Sequence, residues 1–278
     1  MSSERFGLPS SSATLVVALL FGALLLARCG NAPPPVAAPS VASAAPRPTP
    51  TPPSEPAAPE PSAAPVASAE PPPEPKRAVT VALIGDSLTD EKNGSGLYVP
   101  YLRKKCPKST FDNFGKGGDM VNQMHRRFLR DVYPAGGAPA KPYTHLVVFG
   151  GVNDLYSDLT AGRTPAKVET DLSAMYEIAK KHGAKVVAIT VAPWGGFKKY
   201  FNESRSRTTR ELNDWIRAQP DAGAVDYVVD AYALLSCGDP EKLCPDYQHA
   251  IHDGLHFGKG GHEKLGQALY EQVFSSCL

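Results

Sequence analysis

The 278-residue chain carries a formal net charge of +1, which excludes the strongly basic footprint of a nucleic-acid binder. Most of its 28 prolines fall between Pro33 and Pro75, among alanine, serine and glutamate. That composition buries too little to offset its own ordering entropy, so residues 30–77 read as an extended, disordered linker. The remainder, 78–278, leaves about 200 residues, enough for a single core.

The chain opens with Arg5, an apolar run from Ala13 to Ala27, and Cys29. The run is short for a transmembrane helix and suits a signal-peptide core over residues 1–29. Leu26-Ala27-Arg28-Cys29-Gly30 resembles the lipobox of bacterial lipoproteins, in which the cysteine is lipidated. Arg28 departs from that pattern, which has a small residue before the cysteine. The expected location is therefore the periplasm or cell surface, either free or held to a membrane through Cys29. Four further cysteines fit bridges in an oxidising compartment. Cys237 and Cys244 bracket a six-residue loop, which would leave Cys106 and Cys277 as the second pair. Spacing alone leaves the connectivity open.

From Ala78 the pattern alternates strand and helix. Apolar, β-branched runs predict strands at Ala78–Ile84, Thr110–Asn113, His145–Phe149, Val186–Val191 and Tyr227–Val229. Helices are predicted over Leu97–Lys105, Met120–Arg130, a segment opened by Thr164-Pro165 and closed by Gly183, Asn202–Ala218, and Gly260–Phe274. Strands separated by helices pair in parallel through right-handed crossovers. The fold class is therefore α/β, a three-layer α/β/α sandwich with a five-stranded, mainly parallel sheet. In such sheets functional groups collect beyond the carboxyl ends of the strands.

Four polar motifs sit where that rule requires. Gly85-Asp86-Ser87-Leu88-Thr89-Asp90 follows the first strand. There a serine hydroxyl would project into the cleft and its N–H would lie near a helix N-terminus. Asn113-Phe114-Gly115-Lys116-Gly117-Gly118-Asp119 follows the second strand, and Gly150-Gly151-Val152-Asn153-Asp154 the third. Asp253-Gly254-Leu255-His256 precedes the last helix. Its spacing lets the carboxylate accept from Nδ1–H of the imidazole and leaves Nε2 toward Ser87. Each motif alone reads as well as a cap or turn.

Together and in this order, the motifs resemble those of the SGNH (GDSL-type) hydrolases over essentially the whole domain. The resemblance implies a flavodoxin-like fold and ester hydrolysis without a metal or organic cofactor. Ser87 would be the nucleophile, His256 the base and Asp253 its orienting acid. The oxyanion would be held by the N–H groups of Ser87 and Gly118 and the amide of Asn153. Asp154 would brace its loop. His249, His252 and His256 have spacings that would suit zinc on one helix, but Pro245 and Gly254 interrupt such a helix, and no metal is expected.

The segment Ala192-Pro193-Trp194-Gly195-Gly196-Phe197 follows the fourth strand, so Trp194 and Phe197 are candidates to contact an acyl chain or sugar ring. The glycines point to an open cleft and short acyl groups, such as acetyl on a polysaccharide. Alternatives are an O-acyltransferase with the same triad, a lysophospholipase or thioesterase, and a non-catalytic anchored binding module. Nucleotide binding fails for want of a G-x-G-x-x-G after the first strand. The basic run Lys198, Lys199, Arg205, Arg207 and Arg210 reads as a solvated helix face, with attraction to an acidic glycan or phospholipid headgroup as the sharper reading.

Overall fold

The computed structural model describes residues 75–92 and 94–278; the expected leader, Cys29 and nearly all of the linker lie outside the described residues. Pairing begins at Arg77, which bridges in parallel to Cys277.

In chain order the elements are β1 (Thr80–Gly85), α1 (Tyr98–Lys105), β2 (Thr110–Gly115), α2 (Val121–Arg127), β3 (His145–Phe149), α3 (Val152–Tyr156), α4 (Asp158–Ala161) and α5 (Pro165–Lys181). There follow β4 (Lys185–Ile189), α6 (Glu203–Ala218), β5 (Tyr227–Val229), α7 (Ala231–Leu234), β6 (Ser236–Cys237), β7 (Asp239–Leu243) and α8 (Lys259–Leu269). The long helices start on the caps that their sequences offer. Thr164 accepts from the Lys167 N–H at the start of α5, and Asn202 from the Arg205 N–H at the start of α6.

Five strands form one sheet in the order β2-β1-β3-β4-β5, and every pair is parallel. Side chains alternate across it. Ala82, Ile84, Leu146, Val148, Val186 and Ala188 face a core shared with Met124 of α2, Leu172 and Tyr176 of α5, and Leu212 of α6. Val81, Leu83, Val147, Phe149, Val187 and Ile189 face the opposite core, shared with Tyr98 and Leu102 of α1 and Leu265 and Leu269 of α8. The three-layer expectation is met. The chain runs from β1 to β2 on one side and then to β3 on the other. This places the topological switch, where ligands bind in such sheets, between the ends of β1 and β3.

Three local features differ from the sequence reading. The loop between Cys237 and Cys244 is an antiparallel ribbon of β6 and β7, too short to carry a strand signature. The helices expected to run through Arg130 and Phe274 do so, but their last turns, Phe128–Val132 and Tyr270–Phe274, are π-helical rather than α-helical. The short helices α3, α4 and α7 were not legible. Both cysteine pairs are bonded, Cys106 to Cys277 and Cys237 to Cys244.

Candidate active site

β1 delivers Ser87 to the switch point. No helix follows it. The Asp86 carbonyl accepts the N–H groups of Thr89 and Asp90, closing a single turn, and α1 starts only at Tyr98. The serine thus owes its placement to that turn rather than to a helix N-terminus. The Asp86 side chain is fully buried and accepts the Leu88 N–H at 2.9 Å. Burial pushes its carboxyl up to about 7, against the opposing pull of that N–H and of His256. Ser95 adds a restraint with no motif to announce it: its hydroxyl donates to the Ser87 carbonyl at 2.6 Å.

Asp253 and His256 come from a loop closed at its base. Gln248 pairs with Phe257 in an antiparallel bridge, and the Gly258 N–H donates to the Tyr247 carbonyl at 2.8 Å. The His256 Nδ1–H donates to Asp253 Oδ2 at 2.6 Å, and the Ser87 hydroxyl meets Nε2 at 2.9 Å. Asp253 Oδ1 accepts the N–H groups of Leu255 and His256. Burial works to raise the Asp253 carboxyl, but the His256 ring and these two N–H groups outweigh it and hold the acid below its usual range. The loop fits only because two backbones touch without side chains between them. Gly254 has φ +77°, and a Cβ there would overlap the Gly196 backbone. The neighbouring Gly195 N–H donates to the Glu241 carbonyl of β7 at 2.7 Å, so the ribbon supports this loop from below.

The third group of residues lies on the loops beside Ser87, which a Cβ at Gly117 would approach to 3.9 Å. Gly118 sits at φ +80°, a conformation that turns its N–H out of the loop at low steric cost only for glycine. Among the described residues, neither the Ser87 N–H nor the Gly118 N–H donates a hydrogen bond. Asn153, in the first turn of α3, donates to the Asp119 carbonyl at 3.0 Å and approaches Asp86 Oδ2 at 3.4 Å. Asp90 Oδ2 accepts the Gly117 N–H at 3.1 Å, steadying the loop before Gly118. Asp154 is fully buried, accepts the Val121 N–H at 2.8 Å and pairs with Arg163 at 2.6 Å, so it braces α2 against α3. Burial raises its carboxyl, opposed by those two partners.

A cleft of about 310 Å³ opens beside Ser87 and His256, walled by Asp90, Lys92, Ser95, Gly117, His249 and Ile251. Trp194 is not part of it. Its ring is fully buried and its Nε1–H donates to Thr209 of α6 at 3.0 Å, which corrects the expectation that it meets substrate. A tryptophan whose indole N–H has a buried partner is core material. Phe197 is half-buried against Tyr156 and Tyr200 and does not line this cleft. The basic run divides: Arg205 pairs with Asp158 and Arg210 with Glu241. The three histidines share no helix, and among the described residues no group of acidic, histidine or cysteine side chains is placed to hold a metal ion. No helix among the described residues is long and apolar enough to cross a membrane.

A serine hydroxyl on an imidazole, the imidazole on a carboxylate, and two unspent N–H groups nearby are the parts of a serine hydrolase. The description of the GDSL-like Lipase/Acylhydrolase family matches residues 83–264, and the chain belongs to that family of carboxylic ester hydrolases. No curated protein matches the chain. Solved structures share the fold at low identity. A GDSL-like lipase from Bacteroides thetaiotaomicron is 21% identical, with 69% of this chain and 86% of that one covered and a TM-score of 0.55. A lipase/acylhydrolase from Enterococcus faecalis is 22% identical, with 71% and 96% covered and a TM-score of 0.55. A catalytic mutant of an acetylxylan esterase from Geobacillus stearothermophilus is 16% identical, with 73% and 98% covered and a TM-score of 0.55.

Proposed function

We propose that the chain hydrolyses short-acyl esters, such as O-acetyl groups on carbohydrate, by a Ser87-His256-Asp253 triad. The observation that carries this reading is the unbroken contact from Ser87 Oγ to His256 Nε2 at 2.9 Å and from His256 Nδ1 to Asp253 at 2.6 Å, at the wall of a cleft. His256 takes the serine proton as the hydroxyl attacks the ester carbonyl. Asp253 holds the ring in the required tautomer and stabilises the imidazolium. The tetrahedral oxyanion is received by the N–H groups of Ser87 and Gly118 and the amide of Asn153. Collapse releases the alcohol, with its proton supplied by His256, and water then resolves the acyl-enzyme by the same steps.

The modest cleft supports a short acyl group, and the fold shared with an acetylxylan esterase agrees with a carbohydrate carrier. Two disulfides support an exported protein at the periplasm or cell surface, with Cys29 the proposed lipid anchor.

The test is hydrolysis of p-nitrophenyl acetate and of acetylated xylan by the protein beside Ser87→Ala. Activity that collapses in the variant is expected. Equal rates in both proteins would remove Ser87 from the mechanism.

A further inference from the structure

Arg127 closes α2, far in sequence from Ser87, Asp253 and His256, and its side chain is only 10% exposed. Its guanidinium is shared among three backbone segments. Nε donates to the Asp119 carboxylate at 2.6 Å, Nη1 to the Phe114 carbonyl at 2.5 Å and Nη2 to the Gly85 carbonyl at 2.9 Å. Each partner lies on a segment that carries a donor of the proposed oxyanion hole. Gly85 lies two residues before Ser87. Phe114 is the next-to-last residue of β2, ahead of the Lys116–Gly118 loop, and Asp119 directly follows Gly118. The Asp119 carbonyl is also the acceptor of the Asn153 amide.

The β1–β2 ladder stops at the pair Gly85 and Gly115, so beyond that point strand pairing no longer fixes how the two loops sit. There the loops are tied by hydrogen bonds from the Lys116 N–H to Gly85 O at 3.1 Å, from the Asn113 amide to Thr89 O at 2.7 Å and from the Gly117 N–H to Asp90 Oδ2 at 3.1 Å, and the guanidinium adds the tie that also reaches Asp119. We infer that Arg127 is a positioning residue for the oxyanion hole, one planar cation that sets the spacing of the Ser87, Gly118 and Asn153 donors. This inference rests on the triad reading above. Arg127 touches no reacting atom. Its effect lies in geometry, because donors aimed at a developing oxyanion lose their worth when displaced by a fraction of an ångström.

The fork matters more than the charge. A lysine at this position keeps a cation for Asp119 but presents a point charge, which cannot span the carboxylate and two carbonyls at once. The experiment uses the full chain as Arg127→Lys and Asp119→Asn, each alone and combined with Asn153→Ala. Steady-state kinetics on p-nitrophenyl acetate and thermal melts are measured, with Ser87→Ala as the blank.

Arg127→Lys is expected to melt as a folded protein, to lose about 10- to 100-fold in kcat with little change in KM, and to keep the acidic limb of its pH–rate profile. Combined with Asn153→Ala, it should add no more than about threefold to the loss, because residues acting through one donor set are non-additive. Asp119→Asn should show the same pattern with a smaller loss, and it decides the matter if the lysine variant does not fold. An unchanged kcat in the folded variants would overturn the inference. So would a loss that multiplies fully with that of Asn153→Ala, or one that moves the pH profile, since each marks a role outside the donor set. Equal rates in the parent and Ser87→Ala would overturn the triad reading and this inference with it. Loss in Ser87→Ala alone, with Arg127 silent, strikes only this inference.

Discussion

The two halves of the proposed site are held by different physics. The proposed nucleophile and oxyanion half, at the ends of β1, β2 and β3, is braced by buried carboxylates: Asp119 on Arg127, Asp154 on Arg163, and Asp86 with no ion-pair partner among the described residues. The acid–base half is braced by backbone. Gly254 lies against Gly196, Gly195 hangs from the Glu241 carbonyl, and the ribbon beneath is clipped by Cys237–Cys244. A buried polar network fixes atoms closely but fails badly when one partner is lost. Backbone contact tolerates changes of charge but not an added methyl. One enzyme thus shows both ways of making a loop rigid.

The largest break expected is in the acid–base half. Asp253→Asn keeps the shape but favours the wrong imidazole tautomer, and kcat should fall about 10,000-fold. A pre-steady-state assay that still showed rapid acylation would count against the orienting role. In the other half, Asn153→Ala should lower kcat about 100- to 1,000-fold with KM nearly unchanged. A rise in KM instead would make Asn153 a ground-state contact.

The contrast in bracing is probed by stability. Replacing both Cys237 and Cys244 by serine opens a loop of sequence separation 7 and should cost about 2.5 kcal/mol by chain entropy. Because the ribbon carries Gly195, kcat should fall a few-fold with it. Denaturant melts and kinetics on the same preparation check both, and a stability loss with kcat untouched would uncouple ribbon from site.

The smallest effect separates the halves by pH. His262, on α8, is fully buried, stacks near Tyr98 and Phe257, and has no partner for either ring nitrogen among the described residues. Burial, helped by the nearby His249 and His256, lowers it to about 3. Its folded value lies below the unfolded 6.5, so its contribution is whole above pH 6.5 and drains away as pH falls toward 3. His262→Leu should therefore gain about 2 kcal/mol on the parent at pH 5 and less at pH 8. Asp86 has the opposite sign. Its folded value of about 7 exceeds the unfolded 3.8, so its contribution is present below 3.8 and lost as pH rises through 7. Asp86→Asn should gain on the parent with rising pH. Melts of the three proteins across pH 4–8 that ran parallel would remove this distinction.

What was legible in the sequence was local. Ser87, Gly118 and Asn153 stand within short motifs at strand ends, and Asp253 reaches His256 across three residues, so spacing alone brings the groups into reach. The strand runs were equally clear, because a sheet covered on both faces needs unbroken apolar strands. The Arg127 fork was not legible, since two of its partners are carbonyls, which have no letter in the sequence. The Asp86 turn looked like a helix start because a turn and a helix share the same first hydrogen bonds. Trp194 misled for a similar reason. Pro-Trp-Gly-Gly reads as a loop over a cleft, and nothing local reveals that Thr209, on a helix later in the chain, waits for its N–H.

The chain enters the domain where it also ends. The Arg77 N–H donates to Ser276 O, the Leu278 N–H returns to Arg77 O, and Cys106–Cys277 rivets the end to α1. Ser87 lies past the other end of β1, a strand of 6 residues that rises about 20 Å. Force drawn on Arg77 would therefore load that edge of the sheet in shear, against a covalent rivet, at the end of β1 remote from Ser87.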